Sequence, residues 1–436
     1  MPKLQENVNV ATTYENPTRV RWLGGLLILF IGCLAYVDRT VFSVTAIPIM
    51  EELNITPVQF GIMLTVFSVG YFIFQIPGAI LAERKGSRKI IMYSLIGWSI
   101  FTALTGVANA VVMLAIIRFF FGVAEAPLFP GANNFTANWF SKGESGRSNS
   151  LMNAGAFSAN IFAPPIIVVV VSLIGWRSTY FALGVFGIII AIIWYKSMRS
   201  KPSEHPKVNQ AELNIIMEGH FISTEKEPEK LKSQWSQFLK QRSFWMLALG
   251  YFATLWTIQF FLYWLPFYLQ EALGLTFKAM GFYTSLPWIA IVIAVLTAGA
   301  LSDNLIKKGF SRFWARNMIC VVGLTLSAIA LIVSTTAATA LGNILWLSLA
   351  LGMAGFAQTL AWSMSTDLGQ KYTSTVSGWI NTWGFVAASI VPIVAPVVAQ
   401  NISWNAVFIM NAAVTVLGII GYLFTNTDKP LQTKTE

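Results

Sequence analysis

Gly78-Ala79-Ile80-Leu81-Ala82-Glu83-Arg84-Lys85-Gly86-Ser87-Arg88-Lys89 is answered 221 residues later, counted from Gly78 to Gly299, by Gly299-Ala300-Leu301-Ser302-Asp303-Asn304-Leu305-Ile306-Lys307-Lys308-Gly309-Phe310-Ser311-Arg312. Both stretches close an apolar run and share an order of glycine, acid, Lys-Gly and a further base. The interval is close to half of the 436-residue chain, so the pair reads as the same turn in two homologous halves. Outward from it, apolar runs divided by short polar turns fall at about 20–48, 57–82, 88–109, 111–139, 148–173 and 177–197. They resume at about 243–270, 279–302, 315–336, 341–366, 374–400 and 404–425. Each run is long enough for a bilayer crossing of about 20 residues, and a helix is the one open-chain structure that satisfies its own backbone there. The sequence therefore predicts an all-α polytopic membrane protein with 12 transmembrane helices in two homologous six-helix bundles. Its segments are a tail over 1–19, a bundle over 20–197, a polar linker over 198–242, a second bundle over 243–425 and a tail over 426–436. A surface helix is expected around Gln210 to Gly219 within the linker.

Composition excludes the alternatives. Charged side chains make up 11% of the chain, against about 25% in soluble domains, and mean hydropathy is +0.63. No large aqueous catalytic domain fits these values. Cys33 and Cys320 both sit in apolar runs, which excludes a disulfide framework and a CxxC metal site. His205 and His220 are the only histidines and both fall in the linker, so no metal, cofactor or enzymatic base is expected. The net charge of +10 would suggest nucleic acid in a soluble protein. Its placement argues otherwise: with the N-terminus inside, every one of the 29 Lys and Arg lies in an inside segment except Arg39, Arg118, Arg177 and Lys278. That asymmetry predicts both termini on the cytoplasmic side of a membrane and no nucleic-acid partner. Trp22, Trp176, Trp194 and Trp346 lie near span ends, where aromatic belts are expected. The first apolar run is too long for a signal-peptide core, so the first helix is expected to stay.

Four ionisable residues sit deep inside spans: Asp38 and Arg39 in the first, Arg118 and Glu125 in the fourth. Each Asp, Lys or Arg at a helix centre costs about 2.5–3.5 kcal/mol on insertion scales, so the four need a compensating role. Arg118 and Glu125 are seven residues apart on one helix face and are expected to line one cavity. The four charges sum to zero, so mutual pairing can hold the empty state. One reading is a structural ion-pair network. The other is proton-coupled anion transport, in which a permanently charged arginine grips a carboxylate and a desolvated acid carries the proton. Tyr36, Tyr71 and Gln75 accompany the cluster. Spans of the second half hold no ionised side chain at mid-depth and offer Tyr251, Trp256, Gln358, Trp362, Ser363, Asn381 and Trp383 instead. That half is expected to recognise the uncharged body of a substrate. In the repeated turn, Glu83, Arg84, Arg88 and Asp303, in the frame of Gly78 and Gly86, are expected to latch neighbouring helices as a cytoplasmic gate; ordinary positive-inside anchoring explains the bases but not the repeated order.

Tyr36-Val37-Asp38-Arg39, Gln75-Ile76-Pro77-Gly78, the segment from Arg118 through Gly122 and Glu125 to Pro127, Phe129-Pro130, Trp139-Phe140, and His205-Pro206 followed by Glu212-Leu213 together resemble the anion:cation symporter family of the major facilitator superfamily. Within that family the chain is most similar to bacterial sugar-acid (galactonate, glucarate, galactarate) proton symporters. The resemblance implies a bacterial inner-membrane transporter with inward- and outward-facing states, importing a small organic anion with protons and working as a monomer. By position it implies that Asp38 and Glu125 carry protons, that Arg39 with Tyr71 holds the carboxylate, and that Arg118 tunes the acids. Trp362, Ser363 and Asn381 fall where members of the family bind the hydroxylated tail. Two departures matter: Glu83 replaces the usual gate Asp, and Ala156 stands where galactonate-like members carry a Gln that meets substrate hydroxyls. The second leaves room for a shorter, sulfonated or aromatic acid. An anion exchanger and a non-transporting sensor of the same ligand are the rival functions.

Overall fold

The structure, a computed structural model, describes residues 16–141, 144–217 and 235–432. Most of the N-terminal tail, His220, the second part of the linker and the last four residues lie outside the described residues. The first half comprises α1 (Val20–Val44), α2 (Ala46–Leu53), α3 (Pro57–Lys85), α4 (Ser87–Thr105), α5 (Val111–Glu125), α6 (Leu128–Trp139) and α7 (Ser145–Ser197). The linker contributes α8 (Gln210–Met217), close to the helix expected there, and the short α9 (Trp235–Phe238). The second half comprises α10 (Arg242–Glu271), α11 (Phe277–Lys307), α12 (Met318–Ser334), α13 (Ala340–Gly369), α14 (Thr373–Asn401) and α15 (Trp404–Leu423).

Ten helical stretches among the described residues are long and apolar enough to cross a membrane, and two further crossings complete the plan. The stretch Ala154–Ser197 has 44 residues, about 66 Å at 1.5 Å per residue, twice the bilayer core. It reverses at Gly175, whose φ of 75° breaks the helix. Arg177 just beyond the break reaches the carbonyls of Gly106 and Ala108 at one end of α4, while Tyr195 meets Arg88 at the other. The remaining crossing is α4, which carries Arg88 and Lys89 in its first turn. Segments α5 and α6 form one crossing, interrupted at Ala126-Pro127.

Local chemistry sets the ends. Thr56 accepts from the amide of Gln59 and Gln59 returns the bond to the Thr56 amide, a capping box with Pro57 in the first turn of α3. Thr276 caps α11 by accepting from Ala279, so the second crossing of each half begins with a threonine cap. The first apolar run stops four residues earlier than its hydropathy suggests: the Thr45 hydroxyl donates to the Val41 carbonyl at 2.6 Å, and the chain breaks there before α2.

Uncharged contacts join the halves, from the end where α3 and α11 begin to the middle of α3. Thr65 donates to the Ser389 carbonyl at 2.8 Å, Ser285 to the Ile161 carbonyl at 2.6 Å, and the Tyr71 ring stacks on Phe385 at 5.2 Å. Gly61 lets α3 come within contact of the Pro392 carbonyl. Toward the opposite end, where the Lys- and Arg-rich turns lie, Ile76 of α3, on the helix face that carries Thr65, and Trp362 of α13 are exposed, which leaves room for a vestibule between the halves.

One of the expected belt tryptophans, Trp194, is structural instead. Trp194 is fully buried and donates to the Arg88 carbonyl at 3.1 Å, and Trp176 is buried and donates to Glu52 at 2.6 Å. The Trp194 N–H finds its partner inside the bundle, so nothing draws it to the headgroups, whereas that of Trp176 meets an exposed carboxylate near the span end.

A strap secures each half at the end bearing the basic turns. The fully buried Glu212 carboxylate of α8 accepts from the Thr18 hydroxyl (2.5 Å), the amides of Val20 and Arg21 (3.1 and 3.0 Å) and the Arg21 guanidinium (3.1 Å). It thus satisfies the open N–H groups of α1 and complements its positive end. Arg21 also forks onto Glu144 through two bonds of 3.1 Å, and His205 sits against Trp139 with its Nε2 2.9 Å from the Ser197 carbonyl. In the second half Asn317 donates to the carbonyls of Tyr422 and Thr425, and Gln241 exchanges two bonds with Gln432.

Candidate functional site

α1 crosses the middle of the first half with adjacent residues on different sides, about 100° apart. Arg39 points toward α5 and α3. Its Nε and Nη2 both donate to Glu125 Oε1, at 3.0 and 2.6 Å, in a buried ion pair. The rings of Tyr36, Phe67 and Tyr71 stand 4.9, 5.1 and 5.1 Å from the guanidinium carbon and form an aromatic cage around the cation. Glu125 is fully buried and its second oxygen, Oε2, has no hydrogen-bond partner. The close approach that brings α5 here depends on Gly122, where a Cβ would meet the backbone of Phe67 and Tyr71.

Asp38 faces the other way, toward α4. Trp98 Nε1 donates to its Oδ2 at 3.0 Å, and Oδ1 is unpartnered. Arg118 is buried behind α1, 3.7 Å over the Phe42 ring, with Phe121 and Tyr180 at 5.1 and 5.8 Å; its Nη2 donates to the Thr105 hydroxyl at 3.4 Å. The structure therefore brings Arg39 and Glu125 together as a pair, and sets Asp38 and Arg118 within one buried polar region without an ion pair shorter than 4 Å among the described residues. Sequence reading named the four charges but not Trp98, Thr105, Tyr180, Phe42 or Phe67, which hold them. A signal was present in α4: Trp98, Thr102 and Thr105 share one face of the helix.

Across the vestibule the wall is neutral. Tyr251 of α10 accepts from Trp362 Nε1 at 3.1 Å and from Gln358 Nε2 at 3.4 Å, and the Trp362 ring meets it edge-on. Gln358 Oε1 remains unpartnered. Ser363 and Asn381 are half-buried, and Asn381 lies one turn before Phe385, the residue that stacks on Tyr71. Gln75, one turn beyond Tyr71, is also half-buried.

The gate residues are dispersed. Gly78 packs α3 against Pro127, with a Cβ there only 2.8 Å from the Pro127 Cα, and Gly86 takes φ 81° in the turn to α4. Arg88 donates twice to the Tyr195 carbonyl, at 2.9 and 2.7 Å, and lies 3.9 Å over the Tyr195 ring. Glu83, Arg84 and Asp303 are exposed. In the second half, Asp367 at the end of α13 pairs with Arg316 and, at 3.7 Å, with Arg312. The sequence reading passed over Asp367 because it sits just beyond the apolar run. Among the described residues, no group of three or more His, Cys, Asp or Glu is placed to hold a metal ion.

Comparison with known proteins follows from this geometry. The sequence model described as Major Facilitator Superfamily matches residues 28–392. The "Probable galactarate/D-glucarate transporter GudP" of Bacillus subtilis is 32% identical over 93% of this chain and 92% of its own length. The "Probable sulfoacetate transporter SauU" of Cupriavidus necator is 29% identical, covering 94% of both chains. Among solved structures, a bacterial homologue of the human lysosomal transporter Spinster shares the fold, with a TM-score of 0.78 at 16% identity over 94% of this chain and 98% of that one. The chain belongs to the Major Facilitator Superfamily: it is a multi-pass membrane transporter and not an enzyme.

Proposed function

We propose that this member of the Major Facilitator Superfamily imports a small organic anion, a sugar acid such as an aldonate or hexarate, by proton symport with alternating access in a bacterial inner membrane. The observation that carries the reading is the Arg39–Glu125 pair at the closed end of the vestibule, inside a cage of three rings. A substrate carboxylate competes with Glu125 for the same fork of donors. Once displaced, Glu125 is a buried charge without a cation, a state that costs several kcal/mol, and a proton removes that cost. At Glu125, binding of a carboxylate thus draws in one proton, and Asp38 offers a place for a second. The balance also answers the membrane potential, since an uncompensated anion entering a negative interior costs about 2.3 kcal/mol per 100 mV.

Roles follow from position. Arg39 with Tyr71 and Tyr36 seats the carboxylate, Glu125 and Asp38 carry protons, and Arg118 holds the field around the two acids. Trp362, Ser363 and Asn381, with Gln75 across the vestibule, meet the substrate body. With the positive turns on the cytoplasmic side, the vestibule described above opens inward, and Glu83, Arg84, Arg88 and Asp303 latch when it closes. A shorter sulfonated acid is the second reading, supported by Ala156 in place of a hydroxyl-binding Gln and by the similarity to a sulfoacetate transporter.

Uptake into proteoliposomes under an imposed pH gradient tests the reading, with galactarate, an aldonate and sulfoacetate as substrates. Accumulation is expected to follow the gradient. Accumulation that follows sodium and ignores pH, or strict one-for-one exchange against an internal anion, would overturn it.

A further inference from the structure

α4 presents Ser94, Trp98, Thr102 and Thr105 at spacings of four, four and three, all buried on one face. This stripe looks onto α5 and the back of α1. Ser94 donates to the Ala124 carbonyl at 2.5 Å, Trp98 to Asp38, and Thr105 receives Arg118. Around the Asp38 carboxylate stand Trp98 and Thr102 of α4, Arg118 and Glu125 of α5, and Tyr180 of α7. Three polar atoms of this group make no hydrogen bond of good geometry, Asp38 Oδ1, Thr102 Oγ1 and Arg118 Nε, and the Thr102 hydroxyl is set against the Asp38 carboxylate. Their residues are 2%, 1% and 3% exposed, so the group is shut off from solvent. They are an acceptor, a hydroxyl that donates or accepts, and a donor, the set that one buried water satisfies with about three hydrogen bonds.

We propose that this group encloses a water site and is the port through which Asp38 exchanges its proton, separate from the vestibule where Arg39 receives the anion. The proposal rests on the proton-symport reading above. The bound water gives a proton to the Asp38 carboxylate and regains one along hydroxyl groups toward the outer end. Thr105 takes the Arg118 bond, and the Tyr180 hydroxyl lies 3.0 Å from that of Thr45 at the joint between α1 and α2. Arg118, permanently charged, relays no proton and orders the chain. Proton and anion then reach the first half from opposite faces of α1, which prevents the substrate from blocking its own coupling ion.

The test uses the full-length protein in two measurements. A structure determined at a resolution that shows water is expected to place density within hydrogen-bond distance of the three atoms, lost in Thr102→Val. In proteoliposomes, Thr102→Val is expected to lower pH-driven accumulation about fivefold, the worth of about one hydrogen bond, with counterflow unchanged and Thr102→Ser restoring coupling. Side-chain packing with no water between the three atoms, or a Thr102→Val variant that couples like wild type, overturns the port alone. Wild-type accumulation that ignores pH removes the symport reading and the port with it.

Discussion

The fourth crossing of the first half carries Arg118 and Glu125 on its buried face, whereas the fourth crossing of the second half, α13, carries Gln358 and Trp362. The fold is repeated and the chemistry is not. Charges of the first half find their partners within that half, Arg39 on α1 with Glu125 on α5, and those of the second lie at the helix end, Arg316 with Asp367. Contacts between the halves are hydroxyl-to-carbonyl bonds and stacked rings. Such an interface opens without stranding a charge in lipid, the expensive event in this solvent. On the alternating-access reading proposed above, the division lets two bundles part while the ionic machinery stays assembled in one of them.

The strongest way to break this contrast is Arg39→Ala. Loss of the cation leaves Glu125 buried and alone, a loss of about 3–5 kcal/mol for a broken buried pair, and substrate binding is expected to vanish. Melting of the purified protein with and without sugar acids checks both, and Arg39→Ala with Glu125→Ala is expected to recover stability but not binding. A single variant that still binds would move the anion seat into the second half. Glu125→Gln comes next: counterflow is expected to persist while pH-driven accumulation collapses, and normal accumulation would make the pair structural. On the neutral side, Tyr251→Phe removes the acceptor shared by Trp362 and Gln358, and is expected to raise KM about five- to tenfold with an unchanged pH profile. A shifted pH profile would show that the second half takes part in proton chemistry.

The smallest effect belongs to the surface at the end where α3 begins. The hydrogen bond from Arg177 holds the Glu52 carboxyl below the usual glutamate range. Its contribution is present above the unfolded-state value and fades as pH falls through the lowered folded value. Glu52→Gln should therefore cost within about 1 kcal/mol at neutral pH and flatten the acid side of the melting profile, leaving transport alone.

The crossings were legible because length and apolarity alone decide a bilayer span, and Gly175-Trp176-Arg177 announced the reversal inside α7. The four buried charges stood out because their cost in lipid is large. Their neighbours did not: whether Asp38 meets Trp98 depends on which helix packs against which face of α1, and one helical step separates it from the Arg39 side. Trp194 misled for the same reason, since an aromatic near a span end looks alike whether its N–H meets headgroups or a carbonyl inside the bundle. Glu212 pairs with Arg21 across 191 residues, a distance over which sequence patterns carry no register.

That last pair has an architectural consequence. Because the stretch ending at Met217 is fastened to the first bundle, and the stretch from Gln241 is fastened to the C-terminal strap of the second, each bundle is a self-contained cartridge with its own closure. A cut made between Met217 and Trp235 would fall on the seam between them, so two separately expressed polypeptides divided there should reassemble into a working carrier.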